Sequence, residues 1–298
     1  MDLKNSGAPM YSNKIFRVLL AVSMLKLFLL QGCGAASQSD KSIENILRAK
    51  KIVDLDKLTG GELHLLESLV KKEASPCPGK ISLLEELSKG KPCSVALQAL
   101  GFFYRRILDG YPENDILDQY VARFRIAQKV KIDLEGRPDT GPEAARVTIA
   151  VFSDFQCPFC RKAALTMKRV KGMHADDVRI VFKHFPLTSM HAQAMDAALA
   201  AEAAFVQGRF WEMHDALFAL EGNLSQENIE KAASDAGLDI ERWKEDMEAS
   251  EVVERVDRDK KEADKLKLTG TPAIFVNGIE FLEPIKYLDQ YVEEMLLP

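Results

Sequence analysis

Apolar residues recur at helical spacing over the first part of the chain, from residue 43 to residue 126. Leucine and valine stand three and four positions apart in Leu63–Val70, and similar spacing returns in Leu83–Leu87 and Ala96–Phe103. Such spacing places the apolar side chains on one face of a helix. Glycine and proline residues lie between these stretches and mark the turns. The pattern therefore predicts an all-helical N-terminal segment over residues 43–126.

The pattern changes near residue 128, where short stretches rich in β-branched residues begin. Val130–Leu134 alternates apolar and polar residues, as a half-buried strand does. Residues 136–142 hold two glycines and two prolines, and we predict a loop there. Val147–Phe152 and Val178–Phe182 are almost continuously apolar, which is typical of strands that are buried on both faces of a sheet.

Helical spacing returns at about residues 188–267. Ala273–Val276 and Ile279–Leu282 then flank an Asn-Gly pair, which favours a hairpin because both turn positions require positive φ. Pro284 opens a final helix. The order strand, strand, helix, strand, helical block, hairpin, helix predicts the α/β class, with a small mixed sheet covered by helices over residues 127–298.

The N-terminal residues have the pattern of a secretion signal. Three basic residues precede an apolar run at 18–30, whose 13 residues are too few for a transmembrane helix, since such a helix needs about 20. Gly32-Cys33 follows and resembles a bacterial lipobox, in which a small residue precedes a cysteine that is lipidated. We predict a signal peptide over 1–32, a lipid anchor at Cys33 and a polar tether over 33–42. The alternative is an ordinary cleaved signal, and both place the mature chain outside the cytoplasm.

Composition narrows the functional classes. The formal net charge is −5, from 40 basic and 45 acidic residues, which does not fit the strongly basic surface of a nucleic-acid-binding protein. Hydrophobic residues make up 47% of the chain, too many for a disordered protein. The five cysteines are an odd number, which requires an explanation in a secreted protein. Lipidation of Cys33 removes one cysteine and leaves four that can pair.

Cys157 and Cys160 have the spacing of a redox motif. They follow a predicted strand and open a predicted helix, and Pro158 between them suits the first helical turn. Unpaired N–H groups and the helix dipole at this position lower a cysteine pKa from about 8.5 to about 3.5–7.5. We predict that Cys157 is the exposed, attacking thiolate and that Cys160 is the resolving cysteine. A zinc half-site and a purely structural disulfide are the alternatives; we predict no metal.

Cys77 and Cys93 lie in the helical segment, and each follows a proline. A structural disulfide that closes the loop between them is the simplest interpretation, and it would stabilise a small helical region with a limited core. The alternative is a redox relay in which this pair exchanges with Cys157 and Cys160.

Four stretches together resemble the DsbA-like branch of the thioredoxin fold: VFSDFQCPFCRKA at 151–163, FKHFPL at 182–187, GRFWEMHDALF at 208–218 and GTPAIFVNG at 270–278. Their order makes the resemblance specific, and it covers about residues 127–298. It implies a helical domain inserted into the thioredoxin sheet at about 188–267. It also implies that Thr271 and Pro272 form the cis-proline loop, which faces Cys157 and pairs with substrate backbone.

The chain departs from this family at one position. Many relatives carry a buried acidic residue six positions before the first cysteine, where this chain has Val151. The nearest acid is Asp154, which we interpret as a surface or turn carboxylate. The departure leaves open how Cys160 loses its proton.

Other polar groups in the family-like stretches have simpler interpretations. His184, His191 and His214 stand among aromatic and apolar residues, so we interpret them as packed residues rather than catalysts. The charged run Asp257–Lys267 is predicted to be a solvated helix face.

The prediction is an extracytoplasmic thiol-disulfide oxidoreductase of the bacterial cell envelope or periplasm. It acts through Cys157 and Cys160 on cysteine-containing substrate proteins, most simply as an oxidase, and needs no cofactor. The resemblance also implies a membrane redox partner. The alternatives are a disulfide isomerase or reductase, and a non-catalytic peptide-binding or chaperone-like lipoprotein.

Overall fold

The computed structural model describes residues 41–126 and 129–296. The predicted signal peptide and the predicted lipid-carrying Cys33 lie outside the described residues. Within the described ranges, no helix is both long enough and apolar enough to cross a membrane.

The first part of the chain is helical, as its spacing predicts. Thr59 and Ser82 begin two of the helices with capping boxes, in which each side chain accepts from the backbone three residues on. The apolar faces meet in one cluster centred on residues such as Leu66, Leu100 and Phe103. The helices of this part are α1 (Lys41–Ala49), α2 (Gly60–Lys72), α3 (Leu83–Ser88), α4 (Ser94–Leu108) and α5 (Glu113–Val121), with a 3-10 helix at Leu55–Lys57 and a π-helix at Ala122–Ile126.

The second part is built on a five-stranded mixed sheet in the order β1-β3-β2-β4-β5. Among the strands of the described residues, β2 and β3 run parallel, and the other three neighbouring pairs are antiparallel. The strands are β1 (Asp139–Thr140), β2 (Val147–Ser153), β3 (Val178–His184), β4 (Ala273–Val276) and β5 (Ile279–Glu280).

The central strand β2 is buried on both faces, which explains its continuous apolar run. Ile149 and Val151 point into the larger apolar cluster, whereas Ala150 and Phe152 point into a smaller cluster on the opposite face. In the ladder, Val151 stands opposite Phe182 and Ile274. The residues that follow β2 therefore begin from a rigid position in the middle of the sheet.

Helices cover the sheet. The first follows β2, five lie between β3 and β4, and the last ends the described chain after a 3-10 helix at Ile285–Tyr287. The insertion agrees with the helical block expected at about 188–267. The helices are α6 (Pro158–Met173), α7 (Ala194–Val206), α8 (Phe210–Ala219), α9 (Gln226–Asp235), α10 (Ile240–Glu248), α11 (Ser250–Lys265) and α12 (Leu288–Met295).

One predicted strand is wrong. Val130–Leu134 is not part of the sheet, and β1 lies instead at Asp139–Thr140, inside the predicted loop. The backbone of the first stretch bonds elsewhere: Asp133 N–H donates to Glu262 Oε1 at 2.8 Å, and the Asp133 carbonyl accepts from Lys183 Nζ at 2.7 Å. The alternating apolar residues of 130–134 pack on the smaller cluster. Their alternation therefore reflects the burial of every second side chain, without the hydrogen-bond ladder of a strand.

The N-terminal helices dock on the end of the sheet region through a buried ion cluster. Arg105 and Arg106 of α4 and Arg123 of the π-helix form ion pairs with two carboxylates. These carboxylates belong to Glu283 and to Glu294 of α12. Arg106 Nη2 lies 2.8 Å from Glu283 Oε2, and Arg105 and Arg123 both bind Glu294. The cluster is almost fully desolvated, so removing one partner would leave a buried charge unpaired.

Candidate active site

Cys157 and Cys160 stand at the N-terminus of α6. Cys157 is the N-cap residue and Pro158 occupies the first helical turn, where its missing N–H costs nothing. Both cysteines are free thiols in this structure. The cysteines stand at this helix N-terminus because a short turn joins β2, the central strand, directly to α6.

Both thiols are more enclosed than the spacing alone indicates. Cys157 is 5% exposed and Cys160 is 1% exposed. The prediction that Cys157 is exposed is therefore wrong. The loop before β4 covers part of its sulfur. The side chain between the two cysteines is open instead: Phe159 is 65% exposed.

Hydrogen-bond donors surround the sulfur of Cys157. The Cys160 thiol donates to it, and the backbone N–H groups of Phe159 and Cys160 add to this effect. Burial opposes ionisation, but together the donors lower the pKa of Cys157 to about 5. Cys157 is therefore a thiolate at neutral pH.

Cys160 has the opposite environment. Burial raises its pKa well above the ordinary value, and donating its proton to Cys157 raises it further. Asp154 N–H points at its sulfur, at a distance of 3.4 Å from nitrogen to Sγ. The two cysteines thus divide into a nucleophile and a protonated partner, which is the division that disulfide exchange requires.

The predicted cis-proline loop lies beside Cys157. The Thr271–Pro272 peptide bond is cis. Thr271 O lies 3.5 Å from Cys157 Sγ, although 114 residues separate the two along the chain. The structure therefore brings together four of the predicted site residues: the two cysteines, Thr271 and Pro272.

The position of the missing acid is filled by an apolar residue. Val151 is fully buried, and it lines a cavity of about 200 Å³ under α6 together with Met167, Phe182 and His214. Asp154 does not occupy that space, but it is not a surface group either, since it is 1% exposed. The expectation of a surface carboxylate is thus corrected to a buried carboxylate in a turn.

The three histidines are held by carboxylates. His184 is fully buried and its Nε2 lies 2.9 Å from Glu202 Oε2. Burial alone would raise the pKa of Glu202, but the bonds from His184 and Arg255 lower it to about 2. Burial lowers the pKa of His214, although Asp215 opposes this.

The third histidine is nearer to the dithiol. His191 Nδ1 lies 2.8 Å from Asp154 Oδ2. Its side chain keeps 19% of its surface exposed, whereas that of Asp154 is fully buried. Sequence reasoning did not connect these two residues, because 37 positions separate them.

Cys77 and Cys93 form a disulfide with 6.5 Å between their Cα atoms. They belong to the apolar cluster of the N-terminal helices, whereas Cys157 and Cys160 belong to the cluster of the sheet. The structure therefore does not bring the two cysteine pairs together. A role as a redox relay has no contact to support it among the described residues.

Comparison with known proteins identifies the family. A family model described as thioredoxin matches residues 134–293, which is more than half of the chain. The chain belongs to the thioredoxin family. The solved structure of BdbD from Bacillus subtilis, in its oxidised form, is 23% identical and superposes with a TM-score of 0.50, covering 57% of this chain and 98% of that protein. The predicted thioredoxin-like fold is thereby confirmed.

Other relatives of this thioredoxin-family chain differ in length and name. A thioredoxin-like oxidoreductase from Silicibacter pomeroyi is 30% identical, with a TM-score of 0.48, and covers 53% of this chain and 91% of that one. The Na⁺/H⁺ antiporter NhaA 1 of Mycolicibacterium gilvum is 41% identical over 187 residues, which are 62% of this chain and 29% of that protein. The chain thus spans less than a third of the length of this curated relative.

Proposed function

We propose that this chain is a thiol-disulfide oxidoreductase that exchanges disulfides with cysteine-containing proteins through Cys157 and Cys160. The observation that carries the proposal is the unequal pair at the start of α6, with one pKa lowered to about 5 and the other raised. A purely structural pair gains nothing from this inequality. An exchange enzyme depends on it, because the thiolate is both the nucleophile and the better leaving group.

We propose the oxidase direction. In the oxidised protein, a substrate thiolate attacks Cys157 Sγ and forms a mixed disulfide, while the Cys157–Cys160 bond breaks and Cys160 leaves with the electron pair and takes up a proton. A second substrate thiolate then attacks the substrate sulfur of the mixed disulfide and expels Cys157 as a thiolate. The substrate loses two electrons and the dithiol gains them.

The low pKa of Cys157 favours this direction. Stabilising the reduced form makes the disulfide a stronger oxidant, as the high potential of DsbA illustrates. Isomerisation or reduction would start from the reduced state, with Cys157 attacking and Cys160 resolving. A non-catalytic peptide-binding role would leave the lowered pKa without a use.

The Thr271–Pro272 loop is the proposed substrate contact. It adjoins Cys157, and we propose that its backbone pairs with an extended peptide that delivers a cysteine to the sulfur. Phe159 offers an apolar side chain next to the same sulfur.

We propose an extracytoplasmic location, outside the cytoplasm of a bacterial cell. The Cys77–Cys93 disulfide supports it, because disulfides persist in oxidising compartments and are rare in the cytosol. Lipidation at Cys33 and a membrane redox partner that reoxidises the dithiol stay predictions.

The test is oxidative folding of a reduced, unfolded substrate protein by the oxidised chain. We expect substrate disulfides to form with the purified protein, and Cys157→Ser to abolish this activity. Cys160→Ser, mixed with a substrate that already carries a disulfide, should attack it through Cys157 and remain as a mixed disulfide, which gel electrophoresis and mass spectrometry detect. The matched control is Cys77→Ser with Cys93→Ser, which should retain exchange activity. Full activity in Cys157→Ser would contradict the proposal.

A further inference from the structure

The turn between β2 and α6 contains a fully buried carboxylate, that of Asp154. It accepts three hydrogen bonds: from Gln156 N–H at 2.7 Å, from Leu187 N–H at 2.8 Å and from His191 Nδ1 at 2.8 Å. A buried carboxylate persists only when such donors replace its hydration. Two of the three donors belong to the segment that links β3 to α7. This segment therefore fixes the turn between β2 and α6 through hydrogen bonds to Asp154.

The backbone of the same residue touches both cysteines. Asp154 N–H donates to Cys160 Sγ at 3.4 Å, and Asp154 O accepts from Cys157 N–H at 3.1 Å. Any rotation of this residue would therefore alter the environment of both sulfurs. The side-chain bonds of Asp154 hold the backbone at the angle that aims its N–H at Cys160.

A second pair of side chains ties the same turn to the same segment. Gln156, directly before Cys157, binds Gln193 twice: Gln156 Nε2 donates to Gln193 Oε1, and Gln193 N–H donates to Gln156 Oε1 at 3.0 Å. Gln193 is the N-cap residue of α7, the first inserted helix. The inserted helices are thus joined to the redox turn at two points, one of them through His191.

We propose that His191 is a positioning residue of the dithiol, which acts by holding Asp154 so that its N–H stabilises the sulfur of Cys160 and thereby the reduced form. The inference rests on the proposed function only in naming the dithiol as redox-active. It assigns His191 no contact with substrate and no proton transfer.

His191 acts on the dithiol through its hydrogen bond to Asp154. Without it, one lone pair of a buried carboxylate loses its donor, and the turn must relax to find another. That relaxation weakens the bond from Asp154 N–H to the sulfur of Cys160. The reduced state then loses stabilisation relative to the disulfide, so the protein becomes a weaker oxidant.

The test compares two substitutions at one position. His191→Ala removes the donor, while His191→Asn keeps an amide N–H near the place of Nδ1. Equilibrium between the full chain and glutathione, read by mass spectrometry of the trapped thiols, gives the constant for reduction. We expect His191→Ala to lower this constant about tenfold, which corresponds to about 30 mV, and His191→Asn to stay within about threefold of the wild type.

The matched control is His64→Ala. His64 also faces a carboxylate, Glu67, at 3.8 Å, but it lies in α2 among the N-terminal helices. It should leave the constant unchanged. Equal constants for His191→Ala and the wild type, or an equal loss in both His191 variants, would overturn the inference. A wild-type protein whose dithiol does not equilibrate with glutathione would instead overturn the proposed function.

A measurement on the unmodified protein covers the case in which a variant does not fold. Coupling is reciprocal, so the redox state of the dithiol must act back on His191. We expect the ring ¹⁵N resonances of His191 to shift when the dithiol is oxidised, while those of His64 do not. An unshifted His191 signal would overturn the inference.

Discussion

The two cysteine pairs of this chain share a residue type and differ in their surroundings. Cys77 and Cys93 are joined across 16 positions within the N-terminal helices. Cys157 and Cys160 are free and lie one helical turn apart at the start of α6. The neighbours of the sulfurs, more than the cysteines themselves, decide which pair is suited to exchange.

The first pair has a carboxylate beside it. An oxygen of Glu86 and both sulfurs lie within 4.8 Å of one another. Glu86 accepts from Cys93 N–H at 3.1 Å and from Lys89 Nζ at 2.6 Å, and the bond from Lys89 leads in lowering its pKa. The negative charge disfavours thiolates at this position, so the disulfide is the stable form.

The second pair has donors beside it instead. A thiol and two backbone N–H groups face Cys157, and the pKa falls to about 5. Both pairs have one cysteine at the N-cap of a helix, Cys93 before α4 and Cys157 before α6. The helix dipole therefore does not separate them, and we expect the acid beside the first disulfide to oppose its reduction while the donors at Cys157 favour that of the second.

The largest expected effect is selective reduction. At a glutathione ratio that reduces Cys157–Cys160 completely, Cys77–Cys93 should stay oxidised. If the first behaves as a strong oxidant near about −120 mV and the second as a structural bond below about −300 mV, the equilibrium constants differ by about a millionfold. Mass spectrometry after alkylation distinguishes the pairs. Simultaneous reduction of both disulfides would contradict this expectation.

The next effect is on stability, and its sign differs between the pairs. Cys77→Ala with Cys93→Ala should lower the free energy of unfolding by about 3 kcal/mol, because the unfolded chain regains the entropy of a loop of this size. Reducing the Cys157–Cys160 disulfide should instead raise it, because a stabilised thiolate appears. Urea unfolding of the oxidised and reduced proteins measures both. A loss of stability on reducing Cys157–Cys160 alone would contradict the assignment.

The third effect is the pH dependence of the reduced form. The pKa of Cys157 is about 5 in the folded protein, whereas a cysteine in an unfolded chain has a pKa of about 8.5. A lowered pKa contributes stability that is complete above about 9 and is lost as pH falls through about 5. We expect the stability difference between the reduced wild type and Cys157→Ser to shrink over this range. Thiolate absorbance at 240 nm should fall with a midpoint near pH 5.

The smallest effect concerns the acid beside the first pair. Glu86→Gln removes a charge and keeps an oxygen for Cys93 N–H, so Cys77–Cys93 should become easier to reduce, by about threefold to tenfold. The control is Glu113→Gln, which removes an exposed carboxylate that faces Lys72 at 3.8 Å. Equal effects of the two substitutions would show that the carboxylate beside the sulfurs has no special influence.

Much of the fold follows from local pattern. The buried strands β2 and β3, the helix after the cysteines and the hairpin were predicted because each has a continuous apolar run, a cap or a turn dipeptide of its own. In the hairpin, Asn277 and Gly278 have φ of 50° and 83°, as the turn requires. The strand predicted at 130–134 was wrong, because burying every second side chain gives the same apolar alternation as a strand does.

Charged residues were harder to place. The run Asp257–Lys267 was predicted to be solvated, but Asp259 is fully buried, where it binds Lys183 Nζ at 2.6 Å and accepts from His184 N–H at 2.9 Å. That expectation is therefore wrong for this residue. Its partners lie on β3, about 75 positions away, so no window along the chain contains the signal.

The redox motif, the capping position of Cys157 and the class of fold can be predicted from residue order, because each depends on residues a few positions apart. The groups that face the sulfurs are brought there by the tertiary fold. Thr271 reaches Cys157 from 114 positions away, and His191 reaches Asp154 from 37 positions away. Hydrogen bonds act over about 3 Å. The chemistry of the dithiol is therefore set by distances that chain order does not contain.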